Sequence, residues 1–375
     1  MWRCIVNNND VSLYTVPYIQ GSYLVLELTN HCNLACVHCA VSDQGHAHYD
    51  LKGYLSLDIV DTLLNDLIAV QASFDALILF WLGEPLLHPN FVQVYRRIVR
   101  ASVQYNIFRS IEIHSNSVLL EPAIVRVLLN NLSIPQKIHC SIDAIQAETY
   151  KQIKGRNHLP LVMQNVENLI KQKSAMESKN PQIILQYIIG SNNHTEVDAF
   201  EEYWVDVFQR YAVPYSIYAG HVHNSPERTD GILYRQLDCP TPEEQERENQ
   251  VYASVMERKN ISMYKPVILD TIAPINAQAC SGFWKSPVID WQGNLTTCTR
   301  DNELHNTLGN LQQHRFSQLW WGETMKKHRK QVGKGCYDDL ALCSTCFIPK
   351  SLNHSDISAQ EIEQYTAHEQ SYRIL

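Results

Sequence analysis

Short apolar runs with strand character recur at residues 24–28, 76–80, 110–114, 137–142, 183–189 and 215–219, and segments of helical periodicity separate them. In the first such segment Ile59, Leu63, Leu67 and Ala69 follow Ser56, a suitable helix cap, and Phe91, Val94, Ile98 and Ala101 repeat the pattern. Helical spacing returns at 123–129, 161–170 and 197–207. Strands alternating with helices predict an α/β chain with a parallel sheet, which right-handed crossovers curl into a full or partial barrel. Past about Gly220 the alternation stops, and 238–250, rich in Pro and Glu, reads as a linker followed by a helix. The expected organisation is an N-terminal extension (1–20), a barrel (21–220), a linker and helix (221–275), a separate small cysteine-rich unit (276–350) and a helical tail (351–375).

The chain has 375 residues, 45% of them apolar, enough for one large core and a smaller attachment. Its longest apolar stretch, 76–82, is far too short to span a bilayer. A formal charge of −8 disfavours nucleic acid and anionic membranes as partners. The one basic run, 326–330, reads as a solvated helix face. With no signal peptide in view, a cytoplasmic location is expected. In that reducing compartment the 11 cysteines are better read as thiolate ligands than as disulfides.

Cys32, Cys36 and Cys39 lie at x3 and x2 spacing in the loop after the first strand. Three such thiolates can hold three irons of a 4Fe–4S cluster and leave the fourth iron open to a cofactor or substrate. Zinc completed by His31 or His38 is the alternative. Later strand ends carry Leu82-Gly83-Glu84-Pro85, then Asn116, then Ser141 and Asp143, then Gly155-Arg156. Ser141 and Asp143 share one face of their strand and Cys140 points the other way. Plain turns, capping hydrogen bonds and a surface arginine are the blander readings of these residues.

Taken together, these motifs resemble the radical S-adenosylmethionine superfamily, whose fold is a partial (β/α)6 barrel; Leu82 stands where that family has the first glycine of its GGEP motif. The resemblance implies that the methionyl group of S-adenosylmethionine chelates the open iron and is cleaved reductively to a 5′-deoxyadenosyl radical. It places His38 near the adenine, Gly83 and Glu84 at the methionyl amine, and Asn116 at the ribose. Ser141 and Asp143 would line the cofactor and Arg156 would pair with its carboxylate. An external reductant such as flavodoxin or ferredoxin is the implied electron donor.

A second set comprises Cys280, Cys298, Cys343 and Cys346, with 288–295 reading as a hairpin turned at Gln292-Gly293. Four thiolates close a site, and structural zinc is again the alternative. With Asp301, Leu308-Gly309-Asn310, Leu319-Trp320, Met325 and Arg329, this unit resembles the Twitch form of the SPASM domain, which implies one auxiliary 4Fe–4S cluster. It is similar to that of 2-deoxy-scyllo-inosamine dehydrogenase-like enzymes. The implied reaction is oxidation of a small hydroxylated or sugar-like metabolite with the auxiliary cluster as electron acceptor. The alternative is maturation of a ribosomal peptide by epimerisation or crosslinking, for which Cys336 in Gly333-Lys334-Gly335-Cys336 is a possible hydrogen donor. Gln186, Tyr218, His221 and His223 are expected near the substrate, Trp284, Trp291 and Trp320 in the core or over the barrel mouth, and Cys4, Cys140 and Cys239 as unligated thiols.

Overall fold

The computed structural model describes residues 16–39, 51–131, 133–220, 229–262, 278–346, 348–350 and 357–371. Cys4, His221 and His223 lie outside these residues. Strand and helix alternate as β1 (Tyr23–Leu26), α1 (Leu57–Ala69), β2 (Ala76–Leu79), α2 (Phe91–Tyr105), β3 (Ile111–Ser115), α3 (Pro122–Leu129) and β4 (Gln136–Ser141). Then come α4 (Ala147–Lys154), α5 (Leu159–Ala175), β5 (Gln182–Ile189), α6 (Val197–Arg210) and β6 (Tyr215–Ala219). Helix α1 begins where the sequence places it, because the Ser56 hydroxyl accepts the Ile59 N–H.

The expected end of the alternation near Gly220 is corrected by a seventh parallel strand, β7 (Asp230–Gln236), wedged between β5 and β6. Gly231 permits this, since a Cβ there would lie 2.0 Å from the Ser216 carbonyl oxygen. Asp230 is fixed by Lys173 of α5 at 2.6 Å and by the Ile183 N–H at 2.5 Å. The helix after this strand is α7 (Pro242–Lys259), capped by Thr241.

The cysteine-rich segment folds as α8 (Gly282–Lys285), β8 (Val288–Ile289), β9 (Asn294–Thr296), β10 (Gly309–Asn310), α9 (Phe316–Trp320), α10 (Glu323–Val332) and α11 (Ala341–Thr345). This small C-terminal unit, expected from the sequence, continues the sheet of the barrel. Strand β8 pairs in parallel with β1, giving one open 10-stranded sheet in the order β10-β9-β8-β1-β2-β3-β4-β5-β7-β6. The Trp81 indole donates to the Thr299 carbonyl at 2.8 Å, and Asp66 accepts the Ser317 N–H and hydroxyl at 2.7 and 3.0 Å. A last helix, α12 (Ala359–Ser371), closes the unit: Arg329 is ion-paired with Glu369 and stacks on the rings of Trp320 and Tyr365. Trp284 and Trp320 are core residues, and Trp291 packs against that core.

Alternation along the strands separates two faces. Leu24, Leu77, Ile113, Ile138, Leu185 and Ile232 meet the helices in the main core. On the opposite face Val25 and Ile78 are apolar, but β3 and β4 present Glu112, His114, Lys137 and His139, paired in register. The barrel interior is therefore apolar at one side and polar at the other. Among the described residues no helix is long and apolar enough to cross a membrane.

Glu27, just past β1, ties the two regions together by accepting the N–H groups of Leu82 and Trp291, each at 3.1 Å. Burial pushes its pKa up from 4.5 to about 8, against the pull of those two donors. Between these values the folded chain holds a proton that the unfolded chain has released, so this contribution to stability falls as pH rises from 4.5 to about 8 and is flat above. Glu27→Gln is expected to flatten that part of a melting-temperature profile; an unchanged slope would contradict the assignment.

Candidate active site

The loop after β1 is held from both sides before any cofactor is considered. Its Ala35 and Val37 N–H groups donate to the carbonyls of Lys154 and Ile153 at the end of α4, at 3.0 and 2.9 Å. Gly155 turns away at φ +73°, and a Cβ there would lie 2.5 Å from the Ala35 oxygen. On the other side Gly83 brings the loop after β2 so close that a Cβ would sit 2.0 Å from the Thr29 oxygen. The Glu84 N–H then donates to the His31 carbonyl at 2.9 Å. Cys32, Cys36 and Cys39 are half-buried on this loop and near enough that charge on each disfavours charge on the others. Burial, chiefly, pushes Cys32 up to about 12.

Glu84 turns into the fold. Its carboxylate accepts from the Leu86 N–H, the Ser115 hydroxyl and the Asn116 N–H at 3.1, 2.9 and 2.7 Å, while burial lifts its pKa to about 7. This fixes the end of β3. Asn116 then donates to the Asn33 side chain at 2.7 Å and lies 3.9 Å from the Cys32 sulfur.

At the end of β4, Asp143 adopts φ +62° and forms a buried ion pair with Lys154. Burial alone would raise the Asp143 pKa, but the Lys154 ammonium and the Ile188 N–H hold it below the usual carboxylate range. Ser141 donates to Asp143 at 3.0 Å and accepts from Lys154 at 3.1 Å. Lys154 also lies within electrostatic reach of Cys36, whose thiolate it favours. The buried cation beside the thiol loop is thus Lys154, whereas Arg156 is exposed after the turn. His38 is exposed at the loop rim, in reach of Lys154 and Asp143. Farther along the same wall Gln186 accepts from Arg235 of β7 at 3.1 Å. Desolvation lowers the Arg235 pKa, and Asp238 and Asp143 oppose that shift.

The hairpin of β8 and β9 turns at Gly293 (φ +89°), braced by Asp290, which accepts the Gln292 and Asn294 N–H groups at 2.9 and 2.7 Å. It returns Cys298 to Cys280, and α11 brings Cys343 and Cys346 to the same place, so the charges of all four interact. Burial pushes Cys298 to about 11 and Cys343 to about 12. Donors already aim at the sulfurs: the Arg300 N–H at 3.3 Å from Cys298 and the Asn306 amide at 3.1 Å from Cys343. As thiolates the four would repel one another, and a positive centre among them would favour their ionising together. Cys336 stands apart, exposed in the loop after α10, and Cys140 and Cys239 are buried elsewhere.

Three thiols on the first loop and four in the second set match the ligand counts of 4Fe–4S clusters with one iron open and with none open.

Comparison with known proteins agrees. Residues 26–176 match the Radical SAM superfamily, and residues 280–347 match the SPASM iron–sulfur cluster-binding domain. The chain belongs to the radical SAM superfamily. Its cofactors are S-adenosylmethionine and 4Fe–4S clusters. This radical SAM chain is 28% identical over 144 residues to a GTP 3′,8-cyclase of Synechocystis sp., which covers 38% of this chain and 40% of the cyclase. It is 19% identical over 340 residues to the tungsten-containing aldehyde ferredoxin oxidoreductase cofactor-modifying protein of Pyrococcus furiosus, covering 86% and 87% of the two chains. The crystal structure of native anSMEcpe with bound AdoMet and Cp18Cys peptide superimposes with a TM-score of 0.55 at 13% identity, over 93% of this chain and 95% of that one. At this identity the likeness is one of fold.

Lys154 and Arg235 in the candidate site, and Glu27 bracing it, are residues that sequence reasoning missed. Lys154 directly precedes the Gly155 turn, and Arg235 rides on the unforeseen β7. Gly155→Ala is expected to cost about 1–3 kcal/mol of local strain and to loosen the thiol loop. Cleavage of S-adenosylmethionine should be lost while the absorbance of the auxiliary cluster persists; cleavage at the wild-type rate would refute the role of this contact.

Proposed function

We propose that this radical SAM enzyme oxidises a small hydroxylated or sugar-like metabolite and passes the second electron to an auxiliary 4Fe–4S cluster held by Cys280, Cys298, Cys343 and Cys346. The observation that carries this reading is the four-thiol set itself, which occupies every iron of such a cluster and leaves none for substrate. Cys32, Cys36 and Cys39 hold the other cluster and leave one iron for S-adenosylmethionine. When bound, that pair supplies the 5′-deoxyadenosyl radical.

The remaining work falls to the chain's own side chains. Asn116 and Ser141, fixed at the ends of β3 and β4, offer hydrogen bonds to the cofactor's polar groups, and His38 a ring at the loop rim. Lys154 neutralises Asp143 and biases Cys36 toward the thiolate that ligates iron. Gln186 and Arg235, held together on the polar wall, suit the hydroxyl or anionic groups of a small polar substrate. The likeness over most of both chains to a cofactor-modifying protein supports a small-molecule substrate. An external one-electron donor such as flavodoxin or ferredoxin supplies the reducing electron.

Peptide modification, which the anSMEcpe complex with Cp18Cys peptide illustrates for that protein, is the competing outcome. Its expected hydrogen donor, Cys336, is exposed, whereas a thiol that quenches a carbon radical works in a cavity shielded from water. The test is a panel of polyols, aminocyclitols and sugars offered to reconstituted enzyme, with 5′-deoxyadenosine and oxidised product measured together. One two-electron product per 5′-deoxyadenosine is expected. Cys298→Ala should still cleave S-adenosylmethionine but form product at background level. Solvent deuterium incorporated into a peptide, and lost in Cys336→Ala, would overturn the reading.

A further inference from the structure

Away from both thiol sets, β3 and β4 place three ligand-type side chains on the interior face of the sheet. Glu112 and His114 are two residues apart on β3, and the register sets Lys137 and His139 of β4 directly across from them. The Glu112 Oε2 oxygen lies 3.7 Å from His114 Nε2 and 3.8 Å from His139 Nε2, and one ligand-type atom from each of the three residues falls within 4.8 Å of the others. The Glu112 Oε1 oxygen takes the Lys137 ammonium at 3.0 Å.

The burial of this group is what needs explaining. His139 is 1% exposed, yet neither of its ring nitrogens has a hydrogen-bond partner, and His114 Nε2 has none either. Buried polar groups left without partners are costly and call for an explanation. The rings lie side by side with centroids 4.2 Å apart, and Phe80 covers His114 at 4.7 Å. Burial lowers both imidazole pKa values, which favours the neutral ring that binds metals.

We propose that Glu112 Oε2, His114 Nε2 and His139 Nε2 form a binding site for a divalent cation of the zinc class inside the barrel, independent of both iron–sulfur sites. Two imidazoles and a carboxylate are the donor set of catalytic zinc and of facial two-histidine, one-carboxylate centres. Bonds of about 2.0–2.1 Å around a tetrahedral ion put donor atoms about 3.4 Å apart, so the two spacings from Glu112 to the histidines need close by only a few tenths of an ångström. Lys137 balances the carboxylate through its Oε1 oxygen. His114 lies in electrostatic reach of Arg235, and water or a substrate oxygen would complete the coordination of a bound ion. The site stands whether the substrate is a metabolite or a peptide.

The test uses holoenzyme with both clusters in place, equilibrated with zinc, desalted, and examined by metal analysis and zinc-edge X-ray absorption. About one zinc per chain beyond the cluster iron is expected, with a nitrogen and oxygen shell near 2.0–2.1 Å and no sulfur. His139→Asn and Glu112→Gln should reduce zinc to background with iron content unchanged, which reports intact folding. Absence of retained zinc, a sulfur shell near 2.3 Å, or variants that keep both zinc and iron would overturn the proposal. Should a variant not fold, the wild-type absorption spectrum decides alone.

Discussion

Strand β1 is hydrogen-bonded along both edges, to β2 on one side and to β8 on the other, and both thiol sets depend on that double pairing. The loop leaving β1 carries Cys32, Cys36 and Cys39, while β8 opens the hairpin that positions Cys298 against Cys280. A displacement of β1 would move both sets at once. Glu27, accepting from Leu82 of the barrel and Trp291 of the hairpin, sits where the two regions meet and turns a sheet edge into a fixed geometric relation.

A second constraint is the burial of charge. Burial pushes the thiols of Cys32 and Cys343 up to about 12, so compensating positive charge is needed for them to ionise near neutral pH. The chain supplies part of the compensation itself, through Lys154 beside Cys36 and through N–H donors at Cys298 and Cys343. The same face of the sheet then turns polar through His114, His139, Gln186 and Arg235, an interior suited to a polar substrate.

How much of this could be read from the sequence depended on how local each cause was. Ser56 capping Ile59 is a contact over three residues, and helix α1 was legible from it. The spacing of Cys32, Cys36 and Cys39 is likewise local. Strand β7 was hidden because its Asp230 and Gly231 look like breakers; the charge is neutralised by Lys173, 57 residues away, and the glycine is demanded by the Ser216 backbone. Of two cations separated by one residue, only the αL turn at Gly155 decides that Lys154 goes inward and Arg156 outward. Helix α4 has few apolar residues to announce it, and its place is set by the cysteine loop it supports. The joining of the cysteine-rich unit to β1 rests on Val25 and Leu26 meeting Val288 and Ile289, short apolar pairs that carry no signal of their own.

The most direct test is a count of iron and acid-labile sulfide in anaerobically reconstituted protein, comparing the wild type with a Cys32→Ala, Cys36→Ala, Cys39→Ala triple variant. Two sites on one sheet predict about eight irons in the wild type and about four in the variant. About four in the wild type, or none in the variant, would contradict the presence of two independently held clusters.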